Sequence, residues 1–148
     1  MYHLKVNYDM NMLKIGILLF LVVFFTGCQL EDDGDNFFYE FIPVQSANLP
    51  DQFSRGETVK IYVAYQRPTD CHSFGGFDYQ RVGNERTVTV VNVVVNDKPC
   101  NDLNTEDPVE VSFDFNVGHE DSYVFRFWQG KNNQGENQFL IVEVPVVE

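Results

Sequence analysis

Few residues of this chain have side chains that could bind a metal or carry out catalysis. Cys71, His72 and Cys100 could be combined into a metal site, but zinc ligands usually come from paired motifs such as C-x-x-C or H-x-x-x-H, and the chain has neither. His119 lies in a polar turn and is interpreted as a solvated loop residue. No serine has the strand–turn–helix context of a hydrolase nucleophile. We therefore expect a protein that is not an enzyme and that has no metal or cofactor.

The segment before Cys28 has the order of a secretory signal. A lysine is followed by an almost wholly apolar run over residues 15–25 and then by Thr26-Gly27. The run is too short to cross a bilayer, which takes about 20 apolar residues. Residues 1–27 are therefore predicted to be a cleaved leader, and Met12, which directly precedes the typical part of the signal, is the predicted start of translation.

The residues Thr26-Gly27-Cys28 resemble the end of a bacterial lipoprotein signal. The resemblance implies that Cys28 becomes the first residue of the mature protein, carries acyl chains such as palmitate, and anchors the protein in the outer membrane. The acidic run over residues 31–35 resembles the export signal that places many Bacteroidota lipoproteins on the outer face of the cell. The alternative is that residues 28–36 are only a solvated tether.

The charge of the chain limits its partners. There are 10 Lys and Arg residues against 22 Asp and Glu, a formal net charge of −12. Removing Lys5, Lys14 and Asp9 with the leader leaves 8 Lys and Arg residues against 21 Asp and Glu residues, a net charge of −13 for the mature protein. Such a charge repels phosphate and leaves no basic stripe, which argues against a nucleic-acid partner. It favours solubility at a crowded surface.

The chain after residue 36 has the pattern of strand after strand. Alternating apolar and polar residues predict half-buried strands, and β-branched runs predict a covered central one. The predicted strands cover residues 37–44, 58–65, 77–82, 85–95, 109–117, 123–129 and 139–147. About seven strands joined by loops rich in Gly, Pro, Asn and Asp predict one all-β domain over residues 37–148, folded as a two-sheet sandwich.

The remaining two cysteines are an even pair in an oxidising compartment, where disulfides persist. We predict a Cys71–Cys100 disulfide. If Gly83-Asn84 is the turn of a hairpin, simple pairing leaves Cys71 opposite a residue four positions before Cys100, whereas bonded cysteines need Cα atoms within about 7 Å. A bulge at Gly75-Gly76 and a turn at residues 97–99 are therefore predicted to bring the cysteines together.

The predicted seven-stranded sandwich resembles immunoglobulin-like domains over the whole mature domain, and one position carries a specific feature of that family. The residues Asp121-Ser122-Tyr123 stand at the start of the penultimate strand, where that family often has a tyrosine whose hydroxyl bonds back to the preceding loop. The resemblance implies this role for Tyr123. The two bonded cysteines and Trp128 do not occupy the positions of the antibody-type members, so it extends to the sandwich and not to that subset.

The strand at residues 123–129 carries residue types that are enriched in binding sites. If its other aromatic side chains are buried, Arg126 and Trp128 share the opposite face. Arg and Trp are common at binding hot spots, and a guanidinium beside an indole can contact a protein or a sugar. The alternative is that Trp128 is sheltered by the following loop and that Arg126 pairs with Asp114 or Glu143.

Three classes of function fit these observations. The first is a lipid-anchored binding or adhesion module of the cell envelope or surface, with a protein or glycan ligand. The second is a protease inhibitor, because residues 123–128 are similar to the late strand of chagasin-type cysteine-protease inhibitors, although Phe127 stands where that family has proline. The third is a structural component of an envelope complex that presents a sheet edge to a neighbour.

Overall fold

The computed structural model describes residues 36–104 and 106–148. The predicted leader, Cys28 and the acidic run lie outside the described residues. The described part of the chain contains no helix, and therefore none that is long and apolar enough to cross a membrane. Its structure is all β.

Within the described residues, nine strands form two sheets that pack as a sandwich. The strands are β1 (Phe37–Ile42), β2 (Val44–Asn48), β3 (Phe53–Ser54), β4 (Thr58–Tyr65), β5 (His72–Val82), β6 (Glu85–Val95), β7 (Val109–Asn116), β8 (Ser122–Lys131) and β9 (Asn137–Val147). The predicted all-β two-sheet sandwich is confirmed, with nine strands rather than seven.

Strand β6 is the centre of the larger, six-stranded sheet. β5 pairs antiparallel along one edge of β6, while β1 and β8 share its other edge. β1 runs antiparallel along residues 90–95, and β8 runs parallel along residues 85–88. β9 then pairs with β8, and the short β3 pairs with β9. β6 is therefore a central strand with partners on both edges, as predicted, but only its core face is fully buried, since Thr87, Val91 and Val93 on its other face are half-buried.

The core lies between this sheet and the smaller sheet, whose strand order is β2-β4-β7. Aromatic rings fill much of it, and Phe115 packs with its ring centroid 4.9 Å from that of Tyr123 and 5.1 Å from that of Phe125. Phe53, from the shortest strand, is fully buried against all three. Edge-to-face pairs of this kind contribute about 0.5–1.5 kcal/mol each beyond the burial of their area.

The first predicted strand, residues 37–44, is in fact two strands in different sheets. β1 belongs to the larger sheet and β2 to the smaller one, and the chain crosses between them at Pro43. Proline has no N–H to donate to a sheet ladder, which makes it a natural crossing point. The segment after residue 46, predicted to be a loop, accordingly contains the end of β2 and also β3.

The hairpin of β5 and β6 has the predicted turn and the predicted bulge. Val82 pairs with Glu85 across Gly83-Asn84, and only Gly83 has a positive φ, of 56°. A positive φ at the first turn residue alone is the requirement of a type II′ turn. The register shifts between Phe74 and Gly76. A Cβ at the intervening Gly75 would lie 2.9 Å from a Val93 methyl, so the bulge requires glycine there.

The Cys71–Cys100 disulfide is present, with the two Cα atoms 5.6 Å apart. The bulge shifts the register so that Cys71 lies beside Val95, whose N–H donates to the Cys71 carbonyl. The bulge therefore leaves Cys71 one residue farther from Cys100 than simple pairing does, and the prediction that it helps to join the cysteines is wrong. The return of the chain after Val95 brings Cys100 back to Cys71. Asp70 braces this loop by accepting hydrogen bonds from the Asn101 amide side chain and backbone, which lower the pKa of the Asp70 carboxyl. Asp70 lies close to the sulfurs of Cys71 and Cys100. Because these sulfurs are bonded to each other, they are not thiolates and cannot serve as metal ligands, so the structure favours the disulfide over the metal site considered for these cysteines.

Tyr123 makes the contact that the immunoglobulin-like resemblance implied. Its side chain is buried, and its hydroxyl accepts a hydrogen bond of 2.8 Å from the Gly118 N–H in the preceding loop. The ring also lies under the Arg86 guanidinium, 4.8 Å from its carbon to the ring centroid. Tyr123 therefore ties the loop before β8 to the core.

Removing the disulfide is expected to lower the free energy of unfolding by about 3–4 kcal/mol, because closing a loop of about 30 residues restricts the unfolded chain. The change is Cys71→Ala with Cys100→Ala, measured by chemical denaturation against the wild-type protein. Non-reducing peptide mapping of the wild type should recover the two cysteine peptides joined. Free thiols at both positions in protein isolated without reductant would contradict the bond.

Tyr123→Phe is expected to destabilise the domain by about 1–3 kcal/mol, because it removes the acceptor of the half-buried Gly118 N–H. The measurement is the free energy of unfolding in urea. Tyr62→Phe is the matched control, since Tyr62 is an exposed tyrosine of the smaller sheet. Equal losses in the two variants would show that the Tyr123 hydroxyl does not hold the loop.

Candidate functional site

Arg126 and Trp128 lie side by side on the outer face of the larger sheet. Along β8 the side chains of Tyr123, Phe125 and Phe127 are buried in the core, so the alternate residues face outward. Arg126 and Trp128 are both half-buried on that outer face. The predicted alternation is therefore present in the structure.

Trp128 is surrounded by residues from two other strands. Its indole ring lies 6.2 Å from the Phe41 ring, centroid to centroid, because β1 and β8 meet end to end along β6. Phe139 of β9 is its cross-strand partner. The indole N–H donates to the Asn137 side-chain oxygen at 3.1 Å. The hydrogen bond fixes the orientation of a large aromatic surface.

Arg126 pairs with neither Asp114 nor Glu143, the two carboxylates that the sequence suggested as its partners. Its guanidinium lies 4.5 Å from the centroid of the Phe139 ring, and one terminal nitrogen is 3.6 Å from the Glu85 carboxylate. Its Nε is buried and has no hydrogen-bond partner among the described residues. Asp114 instead pairs with Lys60, and Glu143 accepts from the Ser122 hydroxyl. Arg126 thus lies over the Phe139 ring, and its Nε–H makes no hydrogen bond within the described residues.

A groove of about 370 Å³, here called the outer groove, opens on this face. Phe41, Trp128 and Phe139 line it with aromatic rings. The remaining lining is polar, and its longer side chains are Asp78, Gln80, Lys131 and Asn137. Asp78 and Gln80 come from β5, where they pair across the strands with Thr89 and Thr87. The outer groove therefore combines aromatic surface with both hydrogen-bond donors and acceptors.

The aromatic surface extends beyond the groove along β1. Phe37, Tyr39 and Phe41 alternate on the outer face, and Tyr39 and Phe41 are 67% and 54% exposed. Ile141 of β9, the cross-strand partner of Arg126, is also exposed. These residues are not among the candidate binding residues predicted from the sequence. The signal that could have identified them is the period-two spacing of three aromatic residues in one short strand.

His72 has a structural environment that the sequence did not predict. One ring nitrogen lies 2.9 Å from the Glu40 carboxylate and the other 2.8 Å from the Thr69 hydroxyl. The Thr69 hydroxyl also accepts a hydrogen bond from the Cys71 N–H. This chain of contacts joins the disulfide loop to β1, so His72 acts as a clamp between them. His119 is exposed after β7, as the sequence predicted.

A second cleft of about 480 Å³ lies between the sheets and contains Arg86. The Arg86 side chain is 5% exposed, and one terminal nitrogen donates to the carbonyls of Gly83 and Glu85. Its guanidinium carbon also faces the Tyr123 ring. Arg86, one of the two arginines that line this cleft, therefore holds the β5–β6 turn and the core. Most of the polar side chains that line the outer groove are instead turned to solvent.

Comparison with protein-family models, with curated proteins and with solved structures finds no match for this chain. The structure establishes the sandwich, the disulfide and the Tyr123 contact. Membership of the lipoproteins, of the immunoglobulin-like domains or of the chagasin-type inhibitors stays a prediction from the sequence. The outer face of the larger sheet, rather than a known relative, therefore provides the evidence for a function.

Proposed function

We propose that the protein is a lipid-anchored binding module of the cell envelope that presents the outer face of its larger sheet to a ligand. The observation that carries the proposal is the row of exposed aromatic side chains of β1 on that face, Phe37, Tyr39 and Phe41, which ends against the half-buried Trp128. Large contiguous apolar patches are rare on soluble domains and usually mark interaction sites. Aromatic residues with arginine inside a polar rim are also the composition of binding surfaces.

The position of the anchor supports this role. β1 begins nine residues after Cys28, and nine extended residues reach at most about 30 Å. A lipid on Cys28 would therefore hold the domain close to the membrane surface. The segment between Cys28 and β1 is acidic, and the proposal assigns it the role of a tether. The proposal places the protein in the outer membrane, with its domain on the outer face of the cell.

The anchor predicts where a variant protein is found. Cys28→Ser should move the protein from the membrane fraction to the soluble fraction, because several acyl chains are needed for firm attachment and the variant has none. Membrane retention of the Cys28→Ser variant would contradict the anchor.

The acidic run predicts on which side of the membrane the domain is found. Replacing Glu31, Asp32 and Asp33 with Ala should leave the protein in the membrane fraction but reduce its digestion by protease added to intact cells. Unchanged digestion of this triple variant would leave residues 31–35 as a plain tether.

The binding face predicts where a ligand can be trapped. A photo-crosslinking amino acid in place of Tyr39 or Ile141 should form an adduct in the producing cell, because both side chains project from the outer face. The same substitution at Tyr62, on the smaller sheet, is the control and should form none. The measurement is the electrophoretic mobility of the protein after illumination. Adducts that form equally at all three positions, or at none, would contradict a binding face on the larger sheet.

A further inference from the structure

We propose that the outer groove binds an uncharged polysaccharide chain, an inference that rests on the proposed binding function of this face. Phe41, Trp128 and Phe139 come from three strands and line one groove. Sugar rings carry C–H bonds on their flatter faces, and these pack well against aromatic surfaces. A pocket of rings with a few placed polar groups is the common form of a small-ligand site.

The polar groups of the groove suit hydroxyl groups better than anions. A sugar hydroxyl both donates and accepts, so it needs donors and acceptors together. The groove provides acceptors on Asp78 and donors on Lys131, while Gln80 supplies both. The Gln80 amide already donates to Asp78 at 3.1 Å, which orients the two side chains toward each other and leaves further acceptor positions on both.

The charge around the groove disfavours an anionic ligand. Glu85 lies beside Arg126 and Asp78 lies in the lining, so the local cations are opposed by carboxylates. The chain as a whole has a formal net charge of −12. An acidic polysaccharide or a phosphate would have to approach against this field. A neutral chain of sugars meets no such cost.

The length of the aromatic row indicates a chain rather than a single sugar. Same-face residues of a strand are about 7 Å apart, and the Phe41 and Trp128 rings are 6.2 Å apart. The row from Phe37 through Tyr39 and Phe41 to Trp128 therefore covers about 20 Å. That distance accommodates several linked sugar units on one face of the sheet.

The test uses the fluorescence of Trp128, which is the one tryptophan of the chain and lies in the groove. The full mature protein is titrated with soluble β-glucan, mannan, xylan and dextran, and with polygalacturonate and heparin as anionic probes. At least one neutral polysaccharide should produce a saturable change that added salt does not abolish. Asp78→Ala and Phe139→Ala should each weaken this binding about tenfold or more. Tyr62→Ala, on the other sheet, should leave it unchanged.

A response to anionic probes alone, or neutral binding that Asp78→Ala and Phe139→Ala do not weaken, would overturn the inference. Circular dichroism of each variant shows whether a loss of binding is instead a loss of fold.

The chemical nature of the photo-adducts distinguishes a failure of the polysaccharide inference from a failure of the proposed binding function. An adduct at Tyr39 that consists of polypeptide and resists periodate would refute the polysaccharide and keep the binding face. A failure of both the adducts and the titrations would refute both.

Discussion

The pairing of β6 on both edges is the constraint on which the rest of the structure depends. One of these edges is divided between two strands, with β1 along its second half and β8 along its first. Strands that are remote in sequence are thereby placed end to end in one sheet. Phe41 and Trp128 are neighbours for this reason. β9 pairs with the other edge of β8 and places Phe139 beside Trp128.

The contacts around Arg126 are individually weak, which matters for a binding surface. A cation over an aromatic ring at a partly exposed site contributes about 0.5–1 kcal/mol, and an exposed ion pair about 0–1 kcal/mol. Glu85 can therefore leave Arg126 at little cost when a ligand group replaces it. The indole of Trp128, in contrast, is oriented by a neutral hydrogen bond and by ring packing that salt does not screen. The outer face thus combines the fixed indole of Trp128 with the weakly held guanidinium of Arg126.

The sequence predicted the features of the fold that are local. Period-two alternation located β4, β7 and β8, and glycine chemistry located the Gly83 turn and the Gly75 bulge. The Cys71–Cys100 bond was predicted from the even number of remaining cysteines and the oxidising compartment, not from the hairpin, whose register leaves Cys100 five positions beyond Val95, the neighbour of Cys71. The strand predicted over residues 37–44 runs through Pro43, because a local pattern does not show that the chain changes sheets there.

The candidate site was predicted only in part, because most of it is built by long-range pairing. Alternation placed Arg126 and Trp128 on one face, but it could not show that Glu85 and Phe139 are the neighbours of Arg126. Glu40 and His72 are separated by thirty-two positions in the chain and join only through β6. Side-chain partners of this kind follow from the sheet order, which local patterns do not encode.

The bulge in β5 has a consequence for how copies of the protein coexist. In the described residues β5 pairs only with β6, so its other edge presents unpaired backbone groups, and such an edge can template the strand of a second molecule. The irregularity at Gly75 interrupts the even spacing that such templating needs, and the charges of Asp78 and Arg81 lie farther along the same strand. Both features are among those by which sheet proteins disfavour the pairing of one edge strand with another, so they disfavour pairing of this edge with a second copy of the chain.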